Sequence, residues 1–283
     1  MKGKTCVITG ATDGIGLEAA LKLGAMGARL VLVGRNPAKG EAALARLRRE
    51  VPGVVAEIHY ADLSRQDEIR RLAPILMTAA PRMDVLLNNA GAFFSKREET
   101  PEGIERTFAL NHLGYFLLTY LLRSHLIASS PARIVNVASI AHRGATLDLD
   151  DLQLKRSFSG WRAYQRSKLC NILFTRELAR RLGSTGVTAN CLHPGFVATS
   201  FGDNNQGLFK WVLAIGKRIM AISVESGGKT PVYLAASPEV EGVTGEYFDK
   251  CKVVAPDAPA RNDRTAALLW QESLKLTGLP ADA

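Results

Sequence analysis

Short apolar runs alternate along the chain with longer stretches of helical period. Thr5 to Thr9 is a compact β-branched run, and Gly14 to Met26 follows with helical spacing that Gly27 ends. Leu30 to Val33 is a second compact strand, followed by a helix from about Ala38 to Arg49 that stops before Pro52. Val54 to Tyr60 reads as a third strand. A polar-capped helix then starts near Ser64 and runs to Ala80, with Pro74 expected to bend it. Asp84 to Asn88 and Ile134 to Ala138 supply the fourth and fifth strands, separated by a long helix centred on Leu110 to Leu122. Arg162 to Leu182 is strongly amphipathic, and Gly186 to Leu192 gives the last clear parallel strand.

Strands that are apolar throughout and separated by helices point to a parallel sheet covered on both faces. With right-handed crossovers the expected fold class is α/β: a doubly wound parallel sheet that binds ligands beyond the carboxyl ends of its strands. No internal repeat or low-complexity linker interrupts the chain, so residues 1–283 read as one domain.

Composition removes other classes. With 47% apolar and 22% charged residues, the chain is globular rather than disordered or collagen-like. A formal net charge of +9 favours anionic partners. The basic residues are nonetheless scattered. Arg46, Arg48 and Arg49 lie near Glu41 and Glu50, and Arg176, Arg180 and Arg181 flank Glu177, without the interleaved aromatics of a single-strand binder. Specific nucleic-acid binding is therefore not expected. Cys6, Cys170, Cys191 and Cys251 have no C-x-x-C spacing, so neither a metal site nor a redox pair is expected. Free thiols in apolar runs suit a reducing cytoplasm. No signal peptide or spanning apolar stretch is found, and a cytoplasmic location is expected.

Directly after the first strand, Thr9-Gly10-Ala11-Thr12-Asp13-Gly14-Ile15-Gly16 opens a helix. The glycines permit a tight turn and close backbone approach to a pyrophosphate, and the helix N-terminus supplies oriented N–H groups. The spacing is G-x-x-x-G-x-G, and a lone glycine loop also serves any tight turn. Its strand–loop–helix setting carries the reading. Gly10, Thr12, Asp13, Gly14, Ile15 and Gly16 are thus candidate dinucleotide contacts. The second strand ends in Gly34-Arg35-Asn36, with an arginine where a carboxylate would bind the adenosine ribose of NAD(H). A guanidinium grips a 2′-phosphate, so NADP(H) is favoured, although Asp13 works against it. Asp62-Leu63 is placed to bound the adenine, or Asp62 caps the next helix.

Five further features then occur in order: Asn88-Asn89-Ala90-Gly91 after the fourth strand, Asn111, Ser139 after the fifth strand, Tyr164-Gln165-Arg166-Ser167-Lys168, and Pro194-Gly195-Phe196-Val197-Ala198-Thr199. Over roughly residues 3 to 250 this arrangement resembles the short-chain dehydrogenase/reductase family. The resemblance implies a Rossmann-type fold and an oxidoreductase that interconverts a carbonyl and an alcohol by hydride transfer with NADP(H). Asn89, Ala90, Gly91, Tyr164, Lys168, Pro194, Gly195, Val197 and Thr199 would then line the cofactor site, with Asn88 and Asn89 holding loops against it.

The chemistry accounts for the residue types. Tyr164 and Lys168, four apart, share one helix face. A free phenol ionises near pH 10, and a neighbouring ammonium would lower that value. Tyr164 could then exchange a proton with the substrate oxygen while Ser139 hydrogen-bonds the same atom. The resemblance further implies that Lys168 binds the nicotinamide ribose and that Asn111 holds a water linking Lys168 to solvent. Taken singly, the Tyr–Lys pair is surface decoration, Ser139 a cap and Asn111 a partner for buried backbone. Their order carries the assignment.

Asn111-His112-Leu113-Gly114-Tyr115-Phe116, Ile134 to Ser139, Thr175 to Leu182 and His193-Pro194-Gly195 resemble the branch containing retinol dehydrogenases and the WW-domain oxidoreductase. That branch mostly prefers NADP(H) and acts on retinoid or other lipophilic carbonyls. The sequence opens at the first strand, so neither the N-terminal anchor of many retinol enzymes nor a WW module is expected. Ser167 to Asn171 also resembles light-dependent protochlorophyllide reductase, which has a cysteine after the Pro-Gly where this chain has Phe196.

A substrate lid is expected at about residues 199–223. Its core, Gly207 to Met220, is apolar and basic, with Phe201, Phe209 and Trp211 as candidate walls. It could instead pack on the domain or make peripheral contact with an anionic membrane. The functional expectation is an NADP(H)-dependent enzyme for an apolar carbonyl or alcohol. The alternative is a nucleotide-sensing or scaffolding protein. Arg261 to Leu276 would either form a homo-oligomer interface or cover the sheet.

Overall fold

The computed structural model describes residues 1–194 and 227–280. Its sheet has eight strands in the order β3-β2-β1-β4-β5-β6-β7-β8. These are β1 (Thr5–Thr9), β2 (Arg29–Gly34), β3 (Ala56–Tyr60), β4 (Val85–Asn88), β5 (Ala132–Val137), β6 (Val187–His193), β7 (Tyr247–Asp249) and β8 (Lys252–Val253). The first seven are parallel, and β8 is antiparallel to β7. The chain leaves β1 toward β2 and β3, then returns to place β4 on the other side. That reversal opens a crevice at the carboxyl ends of β1 and β4.

Period-2 alternation explains why both faces are covered. Val7, Val31, Leu86 and Ile134 pack on one face beneath α3 (Gln66–Ala79), α5 (Gly114–Ala128) and α6 (Gly160–Leu182). Cys6, Ile8, Leu30, Leu32, Leu87 and Val135 point the other way, onto α1 (Gly14–Ala25), α2 (Pro37–Glu50) and α7 (Lys229–Ala236). The C-terminal helix α8 (Asp263–Leu276) covers the molecule. Trp270 packs 4.9 Å from the ring of Phe116 and 5.9 Å from Phe174, and the Arg181 guanidinium lies over it at 4.6 Å. Ser273 meets the buried His112 at 2.8 Å, and Arg176 reaches Asp263 at 2.8 Å.

Three local features depart from the expectations. The helix expected near Ser64 begins at Gln66, after Arg65, which makes no side-chain cap; Glu102 from a distant loop accepts the Gln66 N–H instead. Pro74 lies inside α3, where it was expected. The long helix around Asn111 is three pieces: α4 (Arg106–Phe108), a π-turn (Ala109–Leu113) and α5. β7 and β8 were too short to show a period, and their hairpin turns through Lys250 (φ 47°) and Cys251 (φ 62°) rather than Asn-Gly.

All four cysteines are free thiols. Among the described residues no helix is long and apolar enough to cross a membrane, and no cluster of His, Cys, Asp and Glu could hold a metal ion. The expected lid at 199–223, with Phe201, Phe209, Trp211 and the 207–220 core, lies outside the described residues, as do Phe196, Gly195, Val197 and Thr199.

Candidate active site

The crevice between β1 and β4 is built by their end residues. Thr9 Oγ1 accepts the N–H groups of Asn89 (2.9 Å) and Ala90 (3.1 Å). The Asn89 side chain donates back to the carbonyls of Thr9 (2.9 Å) and Gly10 (3.1 Å). These bonds pin the glycine loop to the end of β4, the loop-holding task expected of Asn89. Asn88 does otherwise. Fully buried, it donates to Thr119 Oγ1 at 3.0 Å and Asn136 Oδ1 at 2.9 Å, tying β4 to α5 and β5 instead of to the loop.

The loop has no room to spare. Gly10 has a φ of +64°, and a Cβ there would fall 2.7 Å from Ala90 Cα. A Cβ on Gly16 would strike the Gly10 carbonyl oxygen and lie 2.5 Å from Asn89 Nδ2. Thr12 fits because Gly34 opposite has no side chain. Gly14, at φ +54°, opens α1, where Asp13 accepts the Gly14 N–H at 2.7 Å. Ile15 and Gly16 complete the helix's first turn, whose N–H groups have no intrahelical partner. This backbone cradle fits a pyrophosphate.

At the end of β2 the Arg35 fork is more than half exposed and lies 3.5 Å from Asp62. Asp62 also accepts the N–H (3.0 Å) and hydroxyl (2.7 Å) of Ser64. Burial raises its carboxyl, but those bonds and Arg35 outweigh that and hold it below the usual carboxylate range. The side chain of Leu63 is in the core, leaving only its backbone to face a ligand. Lys39, unnoticed in the sequence, lies 3.8 Å from Asp13. It offsets the carboxylate that argued against a 2′-phosphate. Its position three residues after Asn36, whose side chain caps α2, was the available signal.

Beyond the cradle, four candidate residues from three elements converge. Asn111 sits in the π-turn, where its amide donates to the carbonyl of Ala92 (2.9 Å) and to Ser167 Oγ (3.0 Å), while its oxygen accepts the Ala92 N–H (2.9 Å). The side chain thus clamps the segment after Gly91. A Cβ on Gly91 would lie 3.2 Å from Asn111 Oδ1 and 3.5 Å from Lys168 Nζ. Lys168 is buried, donates to the Val137 carbonyl at 2.9 Å, and places Nζ 5.7 Å from the centre of the Tyr164 ring. The Ser139 hydroxyl faces the Tyr164 phenol and favours its ionised form. Pro194 directly follows β6.

Burial sets the protonation here. It pushes the Tyr164 phenol up to about 12, with the Ser139 hydroxyl pulling the other way. It pushes the Lys168 ammonium down to about 7. The sequence argument expected the ammonium to lower the phenol. In this dry position desolvation dominates both groups, so the phenol keeps its proton at neutral pH. A buried phenol that keeps its proton can donate it to a developing alkoxide. Two aromatic rings not singled out from the sequence flank it: Phe93 lies edge-on at 6.2 Å, and Trp161, half exposed, at 6.1 Å. Trp161 stands three residues before Tyr164, a spacing that places both on one helix face.

The short chain dehydrogenase family model matches residues 4–207. Human retinol dehydrogenase 14 is 41% identical over 99% of this chain and 88% of its own length. Mouse retinol dehydrogenase 12 is 39% identical over 98% of the chain and 87% of its own length. Among solved structures, an uncharacterized protein from Mycobacterium paratuberculosis has a TM-score of 0.80 at 29% identity, covering 100% of this chain and 96% of that one. An actinorhodin polyketide ketoreductase variant with NADPH has a TM-score of 0.69 at 25% identity, covering 88% and 97%. The Rossmann-type sheet, the cradle at its switch point and these likenesses make the chain an oxidoreductase of the short chain dehydrogenase family.

Proposed function

We propose that the protein is an NADP(H)-dependent oxidoreductase that interconverts an apolar carbonyl and its alcohol within a single domain. The observation that carries this reading is the buried pair Tyr164 and Lys168, with the Ser139 hydroxyl facing the phenol, beside a glycine cradle. Gly10, Thr12, Asp13, Gly14, Ile15 and Gly16 hold the pyrophosphate. Arg35, with Lys39, meets the 2′-phosphate, and Asp62, Leu63, Asn89, Ala90 and Gly91 border the nucleoside. Pro194, Gly195, Val197 and Thr199 are assigned to the nicotinamide end. When bound, the nicotinamide supplies or accepts the hydride.

Tyr164 gives its proton to the substrate oxygen in reduction and recovers it in oxidation. Ser139 orients that oxygen and shares its growing charge. Lys168 holds the ribose and sets the charge beside the phenol. Asn111 fixes the segment after Gly91 and supports the proton path. Phe93 and Trp161 support an apolar substrate, as does the likeness to retinol dehydrogenases. Residues 199–223 are proposed as the lid over it. A nucleotide-sensing scaffold gives no reason to bury a lysine beside Tyr164.

The test is a split between binding and turnover. Tyr164→Phe keeps NADPH affinity but loses at least about a hundredfold in kcat, the scale of a general acid. Retained turnover in that variant refutes the role given to Tyr164.

A further inference from the structure

At the carboxyl end of β5 the chain passes through Ser139 into one 3-10 turn, Ile140–His142. Around this turn lies a second group of ionisable and aromatic side chains that the proposed chemistry does not use: His142, His193, Tyr247, Asp249 and Asp257. His142 is fully buried. Its Nδ1 lies 2.7 Å from the Ser139 carbonyl oxygen, which can only accept, so Nδ1 carries the proton. Nε2 is then an acceptor, and the Asp257 backbone N–H points to it at 3.4 Å. Together these contacts select one neutral tautomer.

The ring is held from the side as well. Tyr247 packs edge-on against it at 5.1 Å and stacks on His193 at 5.8 Å. His193 meets Asp249 at 3.3 Å. Asp257 accepts the Gly144 N–H at 3.0 Å and faces Arg143 at 3.8 Å, which ties the far side of the turn. The imidazole therefore joins the Ser139 turn to β7 and to the segment before α8.

Ser139 depends on that anchorage. Its Oγ accepts the Ala141 N–H at 3.1 Å, and the hydroxyl faces the Tyr164 phenol. Its carbonyl receives two N–H groups, the His142 ring at 2.7 Å and the His142 backbone at 3.2 Å. Rotating this residue breaks the pair and carries Oγ away from Tyr164. We propose that His142 is a positioning residue: through its Nδ1–H bond to the Ser139 carbonyl it keeps the Ser139 hydroxyl turned toward Tyr164 and the substrate oxygen. This rests on the reading of Ser139 as the group that orients that oxygen.

The test compares His142→Leu, which removes the donor, with His142→Asn, which keeps an N–H near the place of Nδ1, and with Ser139→Ala. Turnover is read on the best substrate from a panel of aldehydes and ketones running from short aliphatics to retinal. NADPH affinity is read by fluorescence titration, and protection of the Ala141 amide by hydrogen exchange. His142→Leu is expected to lower kcat at least about tenfold and expose the Ala141 amide, with NADPH affinity within about twofold of wild type. His142→Asn should recover most of both losses.

Unchanged kcat and Ala141 protection in His142→Leu, with turnover lost in Ser139→Ala, overturn the positioning role alone. Retained turnover in Ser139→Ala overturns the reading of Ser139 itself. If His142→Leu does not fold, His142→Asn is set against His142→Gln, whose amide reaches toward Nε2 instead. Equal turnover in that pair overturns the proposal, and loss in His142→Gln alone supports it.

Discussion

Lys168 offers a test in which stability and chemistry pull apart. Its ammonium is buried, and its pKa falls to about 7, against about 10.4 for a lysine in an unfolded chain. Between these values the unfolded chain binds a proton that the folded chain does not. The unfolding free energy therefore rises with pH, by about 1.4 kcal/mol per pH unit for this one group. Above about pH 10.4 the cost is absent, at pH 7 it is about 4 kcal/mol, and below that it reaches its full size, about 5 kcal/mol. Lys168→Met removes the titration and nearly keeps the shape. It also loses the bond to the Val137 carbonyl, at about 1 kcal/mol at every pH.

The variant should therefore be more stable than wild type at pH 7 by about 3 kcal/mol, with the advantage gone by pH 10. Urea unfolding followed by circular dichroism at pH 7, 8.5 and 10 measures it. Other titrating groups are common to both chains, so the difference isolates Lys168. A stability difference independent of pH refutes the reasoning. Lys168→Met should lose turnover although it gains stability, the mark of a residue kept for function.

The remaining predictions address the cradle, the cofactor end and the C-terminal helix. Gly16→Ala should cost about 1–3 kcal/mol by forcing the loop off Asn89, and weaken NADPH binding at least about tenfold by fluorescence titration. Arg35→Ala combined with Lys39→Ala should lower kcat/KM for NADPH at least about tenfold and leave that for NADH within about threefold; equal losses would remove the 2′-phosphate assignment. Trp270→Ala should destabilise the fold by about 3–5 kcal/mol in urea, because the ring is packed between Phe116, Phe174 and Arg181.

β1, β2, β4, β5 and β6 were legible because each buries apolar side chains on both faces, as a sheet between two helical layers requires, whereas the edge strand β3 alternates Ala56, Ile58 and Tyr60 with Glu57 and His59. The break at Asn111 was not. Nothing between Arg106 and Leu113 signals a π-turn, and the bonds of Asn111 go to Ala92 and Ser167, far along the chain. The site was read from the order of its motifs, which placed Asn111, Ser139, Tyr164 and Lys168 in one region without their electrostatics. Whether Lys168 lowers the Tyr164 phenol depends on how dry the pair is, and a four-residue spacing carries no such information. Asn88 and Asn89 look equivalent in sequence, yet neighbouring residues at a strand end face opposite ways: Asn89 holds the glycine loop and Asn88 points into the core. Arg261 to Leu276, left open between an interface and a cover, covers the molecule as α8 because Trp270 and Leu274 face inward.

The most direct measurement is NADPH oxidation, followed by absorbance, across carbonyls of increasing apolar length, with NADH and Tyr164→Phe as controls. The account predicts turnover that rises with apolar length, requires NADPH and disappears in Tyr164→Phe. Tight NADPH binding with no turnover on any member of the panel, or equal turnover by Tyr164→Phe, would contradict it.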